Sequence, residues 1–111
     1  MKLPGCERAL VEEVKVRDYL LSPEHPVGRF KAPFFRSLGY SRDDWARLAA
    51  DLRKLATDVD AEPAAPNQFG DKFVVRGILF GPAQQGLLLS VWIVLTDENF
   101  PRFVTAYPDR T

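Results

Sequence analysis

Very little in this chain can carry metal or covalent chemistry. Its 111 residues include one cysteine, Cys6, and one histidine, His25. A lone cysteine closes no intramolecular disulfide, and with one histidine it falls short of the three or four ligands of the usual zinc sites. Such cysteine usage fits a reducing, cytosolic compartment. Net charge is missing as well, because 15 Lys and Arg balance 15 Asp and Glu. Nonspecific duplex binders neutralise phosphates with a basic excess, so the balance argues against a general DNA-coating role while leaving room for a local anion site. No apolar run approaches the roughly 20 residues of a membrane span, and Met1–Gly5 lack the apolar segment of a signal peptide. The expectation is a soluble, cytoplasmic protein with no membrane partner, with export as part of a toxin system left open.

Cofactor signatures are equally scarce. Gly81-Pro82-Ala83-Gln84-Gln85-Gly86 has neither the lysine nor the following helix of a phosphate loop. Ser22 and Ser37 make no nucleophile elbow with His25. Asp43-Asp44 and Asp97-Glu98 sit at a helix start and in a turn, where capping and turn chemistry account for them. No cofactor and no metal are expected.

Hydrophobic residues at 46% and charged residues at 27% are the mixture of a folded globular chain. The length suits a single domain over residues 1–111. Ala9-Leu10-Val11 reads as a brief edge strand. Val16, Tyr19 and Leu20 recur at helical spacing from Glu13 to Leu21, and Ser22-Pro23 stops that helix. Phe30, Phe34, Phe35 and Leu38 form a second short apolar face, closed by Gly39 as a left-handed cap. Ser41 and Asp44 cap a third helix, with Trp45, Leu48, Ala49, Leu52, Leu55 and Ala56 as its stripe. Asp58–Phe69 reads as a linker. Strands follow over Lys72–Phe80, Leu87–Thr96 and Arg102–Tyr107, with connections short enough to force antiparallel pairing. The fold class is α+β, with N-terminal short helices packed on a C-terminal antiparallel β-meander of three to four strands.

Pro23-Glu24-His25-Pro26-Val27-Gly28-Arg29-Phe30-Lys31 stands out chemically. Helix starts attract anions, glycine permits close approach, and cations beside them hold phosphate. Gly28 and Arg29 therefore read as phosphate-binding, with His25 and Lys31 as catalytic groups for metal-free cleavage of a phosphodiester. On the last strand, period two places Phe103, Thr105 and Tyr107 on one face. Thr105 joins the catalytic set, Tyr107 the phosphate set, and Trp92 on the central strand is a candidate for base stacking. The structural alternative for each is plain: a loop imidazole bonded within its loop, solvated cations, hydroxyls in a strand that favours them, and a core indole.

The run Arg17-Asp18-Tyr19-Leu20-Leu21-Ser22-Pro23-Glu24-His25-Pro26-Val27-Gly28-Arg29-Phe30-Lys31-Ala32, with Phe35, Leu38-Gly39-Tyr40, Gly70, Val91-Trp92-Ile93 and Val104-Thr105-Ala106-Tyr107-Pro108, resembles a small bacterial domain family of unknown function. Members occur free-standing beside small partner genes and at the C-termini of large secreted proteins labelled adhesins. That placement resembles toxin modules, and helices before an antiparallel sheet look like the barnase–EndoU–colicin–RelE group of ribonucleases. The resemblance implies a toxin-type endoribonuclease acting on RNA, with His25, Arg29, Lys31, Thr105 and Tyr107 as site residues and a cognate small protein as partner. The competing expectation is a non-catalytic interaction domain: an immunity protein, antitoxin or accessory subunit.

Overall fold

The computed structural model describes residues 1–109. Its order is a 3-10 turn at Cys6–Arg8, helix α1 at Glu13–Lys15 running on as a π turn at Val16–Leu20, and a second 3-10 turn at Gly28–Phe30. Helices α2 (Ala32–Ser37) and α3 (Trp45–Asp58) follow, then strands β1 (Ala61–Pro63), β2 (Gly70–Phe80), β3 (Gln85–Leu95) and β4 (Arg102–Pro108). The strands form one antiparallel sheet in the order β1-β2-β3-β4, so the α+β meander expected from the sequence is the observed architecture.

The helices cover one face of the sheet. Leu48, Ala49, Leu52, Leu55 and Ala56 of α3 are buried, together with Phe35 and Leu38 of α2 and Val16 and Leu20 of the π turn. Facing them are Phe73, Val75 and Leu79 of β2, Leu88, Ser90 and Trp92 of β3, and Phe103 and Ala106 of β4. Trp92 and Phe103 are register partners whose rings meet edge to face at 5.4 Å. The indole is fully buried, and its Nε1 donates to Ser90 Oγ at 3.0 Å, while that hydroxyl donates to the Val75 carbonyl at 3.1 Å. Trp92 is therefore core, and the base-stacking role expected of it is corrected: neither ring face reaches solvent.

Several local departures matter. β4 carries a bulge: Trp92 pairs with Phe103 but Val91 pairs with Thr105, leaving Val104 as an extra residue. An extra residue flips every side chain beyond it, so Phe103 lies on the core face while Thr105 and Tyr107 lie on the opposite one, not with Phe103 as unbroken alternation predicts. The region read as a linker contributes β1, whose Pro63 is tolerated at the sheet edge. Ser41 Oγ accepts the Asp44 N–H in a turn before α3, which itself begins only at Trp45. Ala9–Val11 yields a single parallel bridge, Leu10 to Arg102, held by Leu10 N–H to the Pro101 carbonyl and Phe103 N–H to the Leu10 carbonyl, both at 2.9 Å. Gly39 does take the left-handed conformation at φ 103°, and Ala83 N–H caps α2 through the Leu38 carbonyl. Phe30 departs from its expected apolar face: it is 73% exposed.

Replacing Ser90 by alanine strands a buried indole N–H without an acceptor. The expected loss is about 1–3 kcal/mol of stability, read as a lower urea midpoint with an unchanged slope.

Candidate functional site

Beside β4, the π turn and the loop after it create a polar cluster. In the π turn the Leu21 N–H reaches back five residues to the Val16 carbonyl at 2.9 Å, a widened ring that occurs often at functional sites. Together α1 and the π turn present Val14, Lys15, Asp18 and Tyr19 on one side, where they meet His25 and Val27 of the loop and Val104 and Thr105 of β4 around an open recess of about 490 Å³.

The loop organises itself. Buried Ser22 accepts the Glu24 and His25 N–H groups at 3.2 Å each. His25 Nδ1 in turn accepts the N–H groups of Val27 and Gly28, both at 3.0 Å. An imidazole nitrogen that accepts two donors carries no proton, so the neutral ring bears its hydrogen on Nε2. His25 thus offers a donor, not a free basic nitrogen, to the recess it lines. Its ring packs edge-on against the Tyr19 ring at 4.9 Å.

Lys31 enters from the other side. Its ammonium donates to Tyr19 OH at 2.5 Å and to Thr105 Oγ1 at 2.7 Å, and the two hydroxyls are 3.0 Å apart. It also lies over the Tyr19 ring at 4.9 Å and the Tyr107 ring at 5.6 Å. No carboxylate among the described residues comes within ion-pair distance of it. Burial alone raises the Tyr19 phenol, but donation from Lys31, the bond to Thr105 and the charges of Lys31 and Lys15 outweigh it and hold the phenol below its ordinary range.

Of the residues singled out in the sequence, His25 and Thr105 share the recess, and Lys31 stands directly behind its Tyr19 and Thr105 hydroxyls. Tyr107 turns its ring, not its hydroxyl, toward Lys31. Arg29 lies over the exposed Phe30 ring at 4.8 Å. The helix-start anion site is corrected: the N–H groups of Val27, Gly28, Arg29, Phe30 and Lys31 all have internal acceptors. Gly28 is buried and bare because a Cβ there would overlap the Tyr19 carbonyl oxygen. Its role is packing, not phosphate approach. Tyr19 itself is missing from the sequence-level site, since its spacing with Val16 and Leu20 reads as core; the signal available was a phenol within an apolar stripe, whose hydroxyl needs a partner.

The Tyr19 phenol is expected to ionise at lower pH than an ordinary tyrosine, and Lys31→Met to return it upward. Phenolate absorbance of each protein, minus that of its Tyr19→Phe counterpart, isolates this transition. Because the folded-state value is depressed, the linked stabilisation is full above the unfolded phenol's value and is lost as pH falls through the folded one.

No curated protein sequence matches the chain. Among solved structures, a chain of the contact-dependent growth inhibition toxin–immunity protein complex from Klebsiella pneumoniae 342 is similar, with a TM-score of 0.69 at 19% identity, covering 96% of this chain and 98% of that one. At that identity the likeness establishes a shared fold. The profile of one family spans nearly the whole sequence, residues 2–110, and the chain belongs to that family, described as a domain of unknown function, DUF6883.

Proposed function

We propose that this domain is a toxin-type endoribonuclease that cleaves RNA without metal at the Tyr19–Lys31–Thr105–His25 cluster. The observation that carries the reading is the Lys31 ammonium, which has no carboxylate partner among the described residues and instead bonds two hydroxyls that open onto a recess. A cation with no counter-charge, set against groups able to move protons, suits an anionic substrate whose charge grows in the transition state. The toxin–immunity complex to which the structural neighbour belongs supports a toxin or immunity role.

The chemistry balances within the cluster. The 2′-oxygen forms a bond to phosphorus, and the P–O5′ bond breaks. Tyr19, as phenolate, takes the 2′ proton. Lys31 supplies a proton to the departing O5′ through the Thr105 hydroxyl, and His25 Nε2–H donates to a non-bridging phosphate oxygen. The direct Tyr19–Lys31 hydrogen bond then returns the proton from phenol to amine and resets the site. Products are a cyclic phosphate and a free 5′-hydroxyl.

A second reading, an immunity or other interaction domain, is favoured by one feature away from the site: Ile78, Phe80 and Leu87 leave apolar side chains exposed where β2 and β3 meet their turn. Expression discriminates the two, because a toxin is poorly tolerated without its partner and an immunity protein is harmless.

Purified protein is expected to cleave RNA in the presence of chelator. Tyr19→Phe and Lys31→Ala should each lower the rate by about a hundredfold or more, and His25→Ala should lower it as well. RNA left intact by the folded wild-type protein overturns the nuclease reading.

A further inference from the structure

Two features of the recess touch no reacting group in the chemistry above. One is Lys15. It is half-buried at the recess wall and has no carboxylate within ion-pair distance among the described residues. The one acid lining the recess, Asp18, is engaged by Arg17 and Arg42, each at 3.1 Å, so its charge is offset from outside. The other is a set of apolar walls. Val14 on α1 is 55% exposed and Val27 in the loop 53% exposed, and Val104, the extra residue of the β4 bulge, completes the lining.

Apolar walls with a few convergent polar groups are the usual make-up of a small-ligand site, and about 490 Å³ lies within the usual range for one. The positive side chain and the His25 donor select an anion. The valines select a flat apolar body. A phosphate joined to a base unites both.

Resting on the ribonuclease reading, we infer that the recess holds one unpaired nucleotide of the RNA, with its phosphate on Lys15 and its base against Val14, Val27 and Val104. A base still paired in an A-form helix is stacked and hidden in a deep groove, and cannot be inserted between a loop and a strand; a base in a single strand can be turned out. The substrate class is therefore single-stranded RNA or a loop, and not duplex. The local geometry explains how the sequence achieves this. Val14 and Lys15 of α1 lie four residues before Asp18 and Tyr19 of the π turn and share one side of the segment with them, and the bulge brings Val104 and Thr105 together at the strand edge.

The test uses a single-stranded 2′-deoxy oligonucleotide, which lacks the attacking hydroxyl and cannot be cleaved. Its binding to the whole domain is followed by fluorescence anisotropy across a range of salt. The wild-type protein is expected to prefer this probe to its duplex and to an abasic version. Lys15→Ala should weaken binding about tenfold at low salt and reduce the log–log salt slope by roughly 0.7, the value for one lost phosphate contact on a single strand. Val27→Ala should narrow the gap between base-bearing and abasic probes. Arg53→Ala, at an exposed position on α3, should change neither. An unchanged salt slope in Lys15→Ala, equal binding of duplex, or no binding by the wild type overturns the inference. Cleavage of RNA together with a Lys15-independent slope removes the nucleotide slot but leaves the nuclease. Lys15-dependent binding without cleavage removes the nuclease but leaves the slot.

Discussion

The cluster depends on the fit of Gly28 against the main-chain carbonyl of Tyr19. With no side chain on Gly28, the loop lies directly on the π turn. Three consequences follow from that one approach. The Gly28 N–H is positioned to bond His25 Nδ1, which orients the imidazole. The imidazole edge meets the Tyr19 ring. The 3-10 turn at Gly28–Phe30 then delivers Lys31 to the Tyr19 hydroxyl. Any side chain at position 28 forces the two segments apart and separates His25 and Lys31 from Tyr19 at once. Packing at this point is the condition for the cluster, although Gly28 itself is not part of the recess lining.

The same dependence on local geometry explains what could be read from the sequence. Helix α3 was legible because its stripe, from Leu48 to Ala56, repeats at a regular period and a tertiary partner needs only that face. β2 to β4 were legible from β-formers separated by turns. The bulge was not, because Val91, Trp92 and Val104 are ordinary strand residues and nothing in their order marks an unpaired one. That single residue decides the faces of Thr105 and Tyr107. β1 was hidden by prolines whose neighbours suggest a loop; an edge position removes the objection, yet edge position is a tertiary fact.

Site residues divide in the same way. His25, Lys31 and Thr105 are chemically distinctive types, and the structure brings them to one place. Trp92 and Gly28 are types with two uses. Burial settled the indole as core, and an intramolecular carbonyl, not a ligand, occupies the space that glycine vacates. The N–H groups expected to receive phosphate are bonded within the loop because a turn this short closes on itself: His25, a side chain in that loop, supplies the acceptor for two of them. Sequence identifies which residues can do chemistry; the partners they already have decide which of them are free to do it.

Net neutrality is compatible with the proposed anion site once the cations are separated by partner. Arg8, Arg17, Arg42, Arg47, Arg76 and Arg102 all pair with carboxylates. The planar guanidinium suits such fixed, multiply bonded positions, and several of these pairs tie distant segments together, as Arg42 does between the turn before α3 and Asp18. Exposed pairs of this kind contribute little stability individually, but they neutralise charge where it stands. Lys15 and Lys31 stay outside that network. Each is half-buried, and together they act on one phenol. Lysine carries a compact charge on a flexible stem, and that charge is available to an incoming phosphate only if no carboxylate holds it. An overall count of zero is therefore compatible with a local positive site, because Asp18, the one acid lining the recess, is engaged by Arg17 and Arg42.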